Sequence, residues 1–561
     1  MRALSTVLLL LPLALILAVP CRGQESAPDP YDSGGPLAPE EAAYDVRFYD
    51  LSVRVEPADS SLEGVLTMTA RLVQAPAHIA LDLDPLLDVR GLEVGVGAGE
   101  PRPVEWSREH GRIRIPLPAN AAPGDDVRVR VSYGGRPRVA PRPPWEGGVT
   151  WARTPSGAPW IATSNQMIGA DVWWPVKDHV SDKPDSMAIR VTVPEPLVVA
   201  SNGRLRSVED AGDGRTTWSW FVSTPISAYN VALNIAPYVR LDTTLTSLAG
   251  ETFPIQFWVL PEDEAEGRAF LPEIVEHVRW FERTLGPYPF RVDKYGVAQT
   301  PHLGMEHQSI IAYGANFANG AMTGGVDWGF DALHHHELSH EWWGNLVTNA
   351  DWKDMWLHEG FGTYMQALYI EDTQGIDRYL EYMRSLRPRI GNRKPVAPRE
   401  VTSAKQIYDG HDIYFKGAWV LHTLRWLIGE DALKLALRRM AYPDPEHWRA
   451  TDGRQVRSAD TEEFVTIAEV AAGRPLDRFF EVYVYEAGLP ELDVTRREDT
   501  LDLAWRAPDG RPFELPVPVR VNGETIRVEL PGGRASVPLP VGADVAVDPE
   551  GWVLRATRRE R

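Results

Sequence analysis

His336-Glu337-Leu338-Ser339-His340, followed after eighteen residues by Glu359, is the stretch whose residue types and spacing can do chemistry. Side chains at i and i+4 leave a helix on the same face, so both imidazoles can reach one ion. Glu337 is turned by about 100° from His336, which lets it face a metal-bound water without ligating the metal. Two histidines and a distant carboxylate fill three positions of a tetrahedral zinc site and leave the fourth open, the pattern of a catalytic zinc. In a chain with 14 histidines, an accidental H-E-x-x-H is expected only about 0.02–0.03 times. The adjacent His334 and His335 lack a partner of this kind and are expected behind the ligands or on the surface.

The elements that must hold these residues can be read from periodicity. From Tyr44 to about Leu245 the pattern is β, with period-two alternation at Leu51–Val55, Ile113–Ile115 and Val127–Val131. The Pro-rich stretch 137–144 reads as a surface loop. Beyond residue 250 the period becomes helical: Phe270, Ile274, Val278, Phe281 and Leu285 form one stripe, stopped by Gly286 and Pro287. The zinc motif is expected on a helix over about 328–346, Glu359 on one over 358–372, with further helices at 415–440 and 461–486. From Leu489 alternation returns, and Val519–Val521, Asn522-Gly523 and Ile526–Val528 read as a hairpin. The fold class expected is multidomain α+β: an antiparallel β-domain over 44–248, an α-rich catalytic domain over 249–488 and a small β-sandwich over 489–561. Tryptophans 173, 174, 342, 343, 352 and 356 are expected in the core and the pocket wall.

Residues 1–23 read as a signal peptide: Arg2, an apolar run from Ala3 to Val19, then Pro20 and small Gly23. An uncleaved anchor and lipoprotein processing at Cys21 stay open beside that reading. Residues 24–43 are rich in Pro, Gly, Ser and acids and read as a disordered linker. Export to a periplasmic or secreted location, with no stable membrane insertion after cleavage, is the expectation. Cys21 is the single cysteine, so cleavage leaves no disulfide and stability rests on core burial and the metal. The formal net charge is −20, which argues against nucleic acid or an anionic membrane as partner.

With these motifs placed, the chain resembles the zinc aminopeptidase family of aminopeptidase N and the leukotriene epoxide hydrolase, gluzincin metallopeptidases with a thermolysin-like catalytic domain. The likeness covers nearly all of the sequence after residue 23. It is strongest over HELSHEWWGNLVTNADWKDMWLHEGFGTY, residues 336–364. Gly304-Met305-Glu306-His307 looks like the family's Gly-Ala-Met-Glu-Asn strand, and Tyr414-Phe415-Lys416-Gly417 like its Tyr-Glu-Lys-Gly segment. Gln166, upstream of Trp174-Pro175-Val176-Lys177-Asp178, matches a position in the family's β-domain. Two departures stand out: Leu303-Gly304 replace Gly-Ala, and His307 replaces Asn. Many relatives also continue into a large helical domain where this sequence has only a short β-rich stretch.

The resemblance implies one Zn2+ held by His336, His340 and Glu359, with Glu337 as general base toward zinc-bound water and Tyr414 as oxyanion donor. It implies that Glu306, helped by Gln166 as a neutral acceptor and by the Gly304-Met305 strand, binds the free N-terminus of peptide substrates. The activity expected is hydrolysis of the N-terminal peptide bond. A zinc endopeptidase or other zinc hydrolase on the same scaffold, and a non-catalytic binding relative, are the alternatives. The sequence carries no signal of oligomeric state.

Overall fold

The computed structural model describes residues 33–556. The expected signal peptide, Cys21 and residues 24–32 lie outside the described residues. The described chain has a β-rich N-terminal part, a helical middle part and a C-terminal pair of small sheets, the fold class that the periodicities imply. None of its helices is long and apolar enough to cross a membrane.

Alternation builds the first part. Leu51, Val53 and Val55 are buried while their neighbours face outward, and Val127, Val129 and Val131 do the same in strand Asp126–Gly135. These strands form an eight-stranded sheet, with a four-stranded and a three-stranded sheet packed beside it. The expectation of a purely antiparallel domain needs one correction. Tyr44–Glu56 pairs in parallel with Ser186–Pro194, because over a hundred residues separate them and the connection is long enough to return to the same end.

Two boundaries also move. Val239–Thr246, assigned above to the β-domain, pairs with Thr252–Val259 in the sheet of the catalytic part, and Leu241 and Leu245 bury in that core. Alternation alone cannot say which sheet a strand joins, so the seam lies near Tyr238 and not at 248. The disordered linker is overturned over residues 33–43. Pro39–Ala42 is a helical turn whose Glu41 is buried against Arg112, and Gly35 donates its N–H to Thr402 O at 3.2 Å.

The helical stripe forms as expected. Helix Glu264–Leu285 buries Phe270, Ile274, Val278, Phe281 and Leu285 and ends at Gly286, whose φ of 128° few other residues adopt. The zinc-motif helix is shorter than expected, Ala332–Ser339, with His340 closing it. Asp331 caps it by accepting from His334 N at 2.9 Å, and Gly344, at φ 144°, turns the chain away. Helices Trp356–Gln374 and Asp412–Ile428 then cross, the first carrying Glu359 and the second Tyr414. In the C-terminal part, Val517–Val521 and Glu524–Val528 pair around Asn522 (φ 50°) and Gly523 (φ 89°), the hairpin that the Asn-Gly pair demands. The C-terminal part merges with the catalytic core through Trp505, Phe513 and Leu515, which precede the hairpin, and through Val517 and Val519 within it.

The helix crossing depends on two glycines. A Cβ on Gly360 would come within 2.9 Å of Gly417 Cα and of Ile413 O, backbone atoms that cannot move aside. Gly360→Ala should therefore cost about 1–3 kcal/mol by forcing the helices apart. Gly91→Ala, where a Cβ meets nothing within 4 Å, should be near neutral. Denaturant unfolding of the two variants checks this, and equal stabilities would show that the crossing tolerates expansion.

Candidate metal centre and active site

The short helix and its capped ends bring the motif residues to one point. His336 Nε2 and His340 Nε2 lie 3.3 Å apart. Glu359 Oε2 stands 3.3 Å from the first and 3.6 Å from the second. Ligands arranged tetrahedrally at zinc distances stand about 3.3–3.4 Å apart, so the three atoms mark one face of such a cage. All three side chains are buried, and Glu359 Oε2 has no hydrogen-bond partner. His340 Nδ1 donates to Trp343 O at 2.9 Å, which leaves its Nε2 lone pair facing the cage. Glycine provides the space: a Cβ on Gly362 would stand 2.6 Å from Ser339 Oγ and 3.4 Å from the His336 ring. The donor set, its geometry and the orphaned carboxylate oxygen fit a zinc ion.

Glu359 is also held from outside. Its Oε1 accepts from Tyr408 OH at 2.7 Å and from Gln166 Nε2 at 3.3 Å, leaving Oε2 toward the histidines. Burial alone would raise this carboxyl. The adjacent His336 imidazole, the charge of His340 and the Tyr408 phenol outweigh burial and bring it down to about 2. Tyr408 escaped the sequence reading because a lone tyrosine at the end of the short helix Ala404–Tyr408 carries no spacing signal.

Glu337 points into the cleft beside the triad. Burial, then the charges of Glu306 and Glu359, push its carboxyl well above the usual range. Gly304 faces it closely, and a Cβ there would collide with Glu337 Oε1 and approach Leu333 Cδ1 to 2.7 Å. The Gly304 departure noted above thus fits its surroundings. Gly304-Met305 is the outer strand of the five-stranded sheet, paired antiparallel with Ile311–Tyr313, so its other edge is free toward the cleft.

Glu306 follows on that strand. It is 3% exposed and receives a bond from Gln166 Nε2. Burial pushes it up to about 7, with His340 pulling against that and the charge of Glu359 adding to it. Gln166 is expected to act as a neutral acceptor. Its amide nitrogen donates to two carboxylates, and its carbonyl oxygen remains for an incoming donor. Asn345 donates to Glu306 O at 3.1 Å and accepts from Asn230 at 2.5 Å, tying the strand to both domains.

Tyr414 lies against His336, ring centroids 6.2 Å apart and planes 25° from parallel. Burial and the charges of Glu359 and Glu306 hold its phenol well above the usual value, so it stays protonated. These residues line one cleft of about 650 Å³.

Two expectations are corrected. His334 and His335 are wholly buried in an aromatic cluster, away from both ligands and surface. His334 shares a 2.8 Å bond with His277 and a 2.9 Å bond with Tyr295, and His335 packs on Phe281 and Tyr369. The tryptophans at 173, 174, 342, 343, 352 and 356 are core only, while Trp145 and Trp328 line the cleft. His307 is buried and lines no part of the cleft.

Residues 274–483 match the Peptidase family M1 domain. Over that segment the sequence is similar to M1 peptidases. Among its relatives, an aminopeptidase N of Haemonchus contortus is 27% identical over 63% of this chain and 38% of its own length. A leucine aminopeptidase 2 of Yarrowia lipolytica is 26% identical over 58% of this chain and 46% of its own. The chain thus spans less than half the length of these M1 relatives. An M1 zinc metallopeptidase from Deinococcus radiodurans, of solved structure, superposes with a TM-score of 0.63 and 25% identity, covering 80% of this chain and 94% of that one. A mutant of that enzyme was solved with a Tyr-Ser-Ala substrate.

Tyr408→Phe should weaken zinc binding by about 10–100-fold without unfolding the protein, since it removes one hydroxyl that orients a ligand. His340→Ala should lose the metal altogether. Competition with a calibrated chelator reads both, and an unchanged affinity in Tyr408→Phe would show that Glu359 is oriented without it.

Proposed function

We propose that this protein is a zinc-dependent aminopeptidase that hydrolyses the N-terminal peptide bond of peptides. The observation that carries the reading is Glu306, a buried carboxylate on the cleft-edge strand, linked through Gln166 to the ligand Glu359. His336, His340 and Glu359 would hold the ion. When bound, zinc supplies a Lewis acid that polarises a carbonyl and acidifies water.

The chain's own residues do the rest. The free edge of Gly304-Met305 can pair with an extended peptide backbone, as a sheet edge accepts an added strand. Glu306 takes the α-ammonium, and the new ion pair favours its ionised form despite burial. That contact sets the register, so the first peptide bond lies beside Glu337 and Tyr414. Glu337 accepts the proton of the attacking water and delivers it to the leaving amine. A dication held by the triad would offset the burial and repulsion that raise this carboxyl. Tyr414 donates to the oxyanion developing on the scissile carbonyl, a task for a phenol that does not ionise. Action after export is part of the same proposal and rests on the N-terminal sequence alone.

Glu337→Gln should keep zinc and lose about 10²–10⁴-fold in turnover, because an amide cannot accept the proton. Equal zinc loss in this variant and in His340→Ala would make Glu337 structural.

N-acetylation of a peptide should lower kcat/KM by about ten- to a hundredfold, since it removes the cation that Glu306 meets. Glu306→Ala should narrow that gap by impairing free peptides most. Cleavage of capped and free peptides at equal rates would falsify the aminopeptidase reading and favour the endopeptidase alternative. A protein with zinc bound and no hydrolysis of either would favour the non-catalytic one.

A further inference from the structure

The cleft holds one more charged group, which the mechanism leaves without a task. Arg389 ends the turn Arg387–Arg389 and lines the cleft with Phe415 and Tyr382. Its guanidinium lies 3.8 Å over the Phe415 ring, a stacking that fixes the plane of the fork. The turn is anchored, with Arg387 donating to Arg555 O at 2.9 Å and Ile390 buried behind it. Among the described residues no carboxylate pairs with Arg389. The other arginine lining the cleft, Arg142, is paired with Glu146 at 2.9 Å.

Arg389 and Glu306 belong to opposite ends of the zinc-motif helix. Glu306 is tied by Asn345 to the chain just beyond the helix's C-terminal end. Arg389 lines the cleft beside Tyr382, whose hydroxyl donates to Gln366 Oε1 at 2.8 Å, and Gln366 in turn donates to Ala332 O at the helix's first residue. Contacts around the triad run the same way. Glu306 reaches Glu359 through Gln166, whereas His336 faces Tyr414, Tyr414 packs on Phe415, and Phe415 carries Arg389. Eight helical residues, Ala332–Ser339, rise about 12 Å. An extended peptide of three or four residues spans about 10–14 Å. The cleft thus offers an anion at one end and a planar, unpaired cation at the other, with the hydrolytic groups between and nearer the anion.

We propose that Arg389 receives a substrate carboxylate downstream of the scissile bond, which makes short peptides of three or four residues with a free C-terminus the preferred substrates. This rests on the aminopeptidase reading, in which Glu306 holds the other end. A bidentate guanidinium–carboxylate contact supplies the recognition. The Arg389 side chain is open to solvent on its outer side, so the contact is weaker than a buried pair and sensitive to salt.

The test compares kcat/KM for tri- and tetrapeptides with a free and with an amidated C-terminus, alongside an amidated tripeptide carrying glutamate at its third position. Wild type should prefer the free acid by about three- to thirtyfold at low salt, with the preference shrinking at high salt. Recovery by the glutamate amide would identify a side-chain carboxylate as a second source of the same contact. In Arg389→Gln the free-to-amide ratio should fall toward one, and Arg389→Lys should retain part of it. Dissociation constants of the same peptides on zinc-loaded Glu337→Gln should show the same preference without turnover. Equal rates for acid and amide in wild type, or a preference that survives in Arg389→Gln, would overturn the proposal. Failure of the aminopeptidase reading shows separately, as loss of discrimination between free and acetylated N-termini in amidated peptides.

Discussion

Three carboxylates, Glu306, Glu337 and Glu359, are buried around one cleft, and their mutual repulsion is the constraint that the surrounding structure answers. Without a counter-charge such a group protonates. Two imidazoles and the Tyr408 phenol already lower Glu359, and only a cation between the three donors can favour the ionised form of the others as well. A metal held by these donors would thus be part of the electrostatic design of the cleft and not an accessory to a preformed surface.

Holding such a cluster requires a rigid shell, and the two large domains share the work. Gln166 and Asn230 come from the β-domain, while Asn345 and Glu306 come from the catalytic part, and their bonds cross the seam. Farther along, Asn202 donates to Gln308 O at 2.7 Å and Ser309 Oγ accepts from Gly203 N at 2.9 Å. The β-domain therefore fixes the edge strand directly. A cleft built at this seam has one wall from each domain, which suits a site that must exclude most of the substrate and admit one end.

The sequence made the metal ligands legible because helical geometry turns an i, i+4 spacing into a shared face. Phe270 to Leu285 was legible for a related reason, since amphipathic period and a terminating glycine are local properties. Tyr408 and Asn345 were not, because their tasks are set by residues brought near through tertiary packing. His334 shows the opposite failure. Polarity suggests a surface or a site near the metal, yet burial keeps it neutral and a histidine–tyrosine bond satisfies it within the core. Strand Val239–Thr246 was read correctly as β and assigned to the wrong sheet, since alternation specifies a face and leaves the partner open.

The helix crossing joins these strands of argument. Glu359 sits beside Gly360, and Tyr414 lies one turn before Gly417, where the two backbones meet. Glu359 and Tyr414, on separate helices, can face one centre only if those helices approach more closely than ordinary side chains permit. Glycine at both contact positions removes the side chains, and the weak helix propensity it brings is offset by burial of the flanking Trp356, Phe361 and Trp419. Each glycine is therefore a packing requirement of the site. The relative placement of Glu359 and Tyr414 is set by backbone contact, which deforms less than any side-chain contact could.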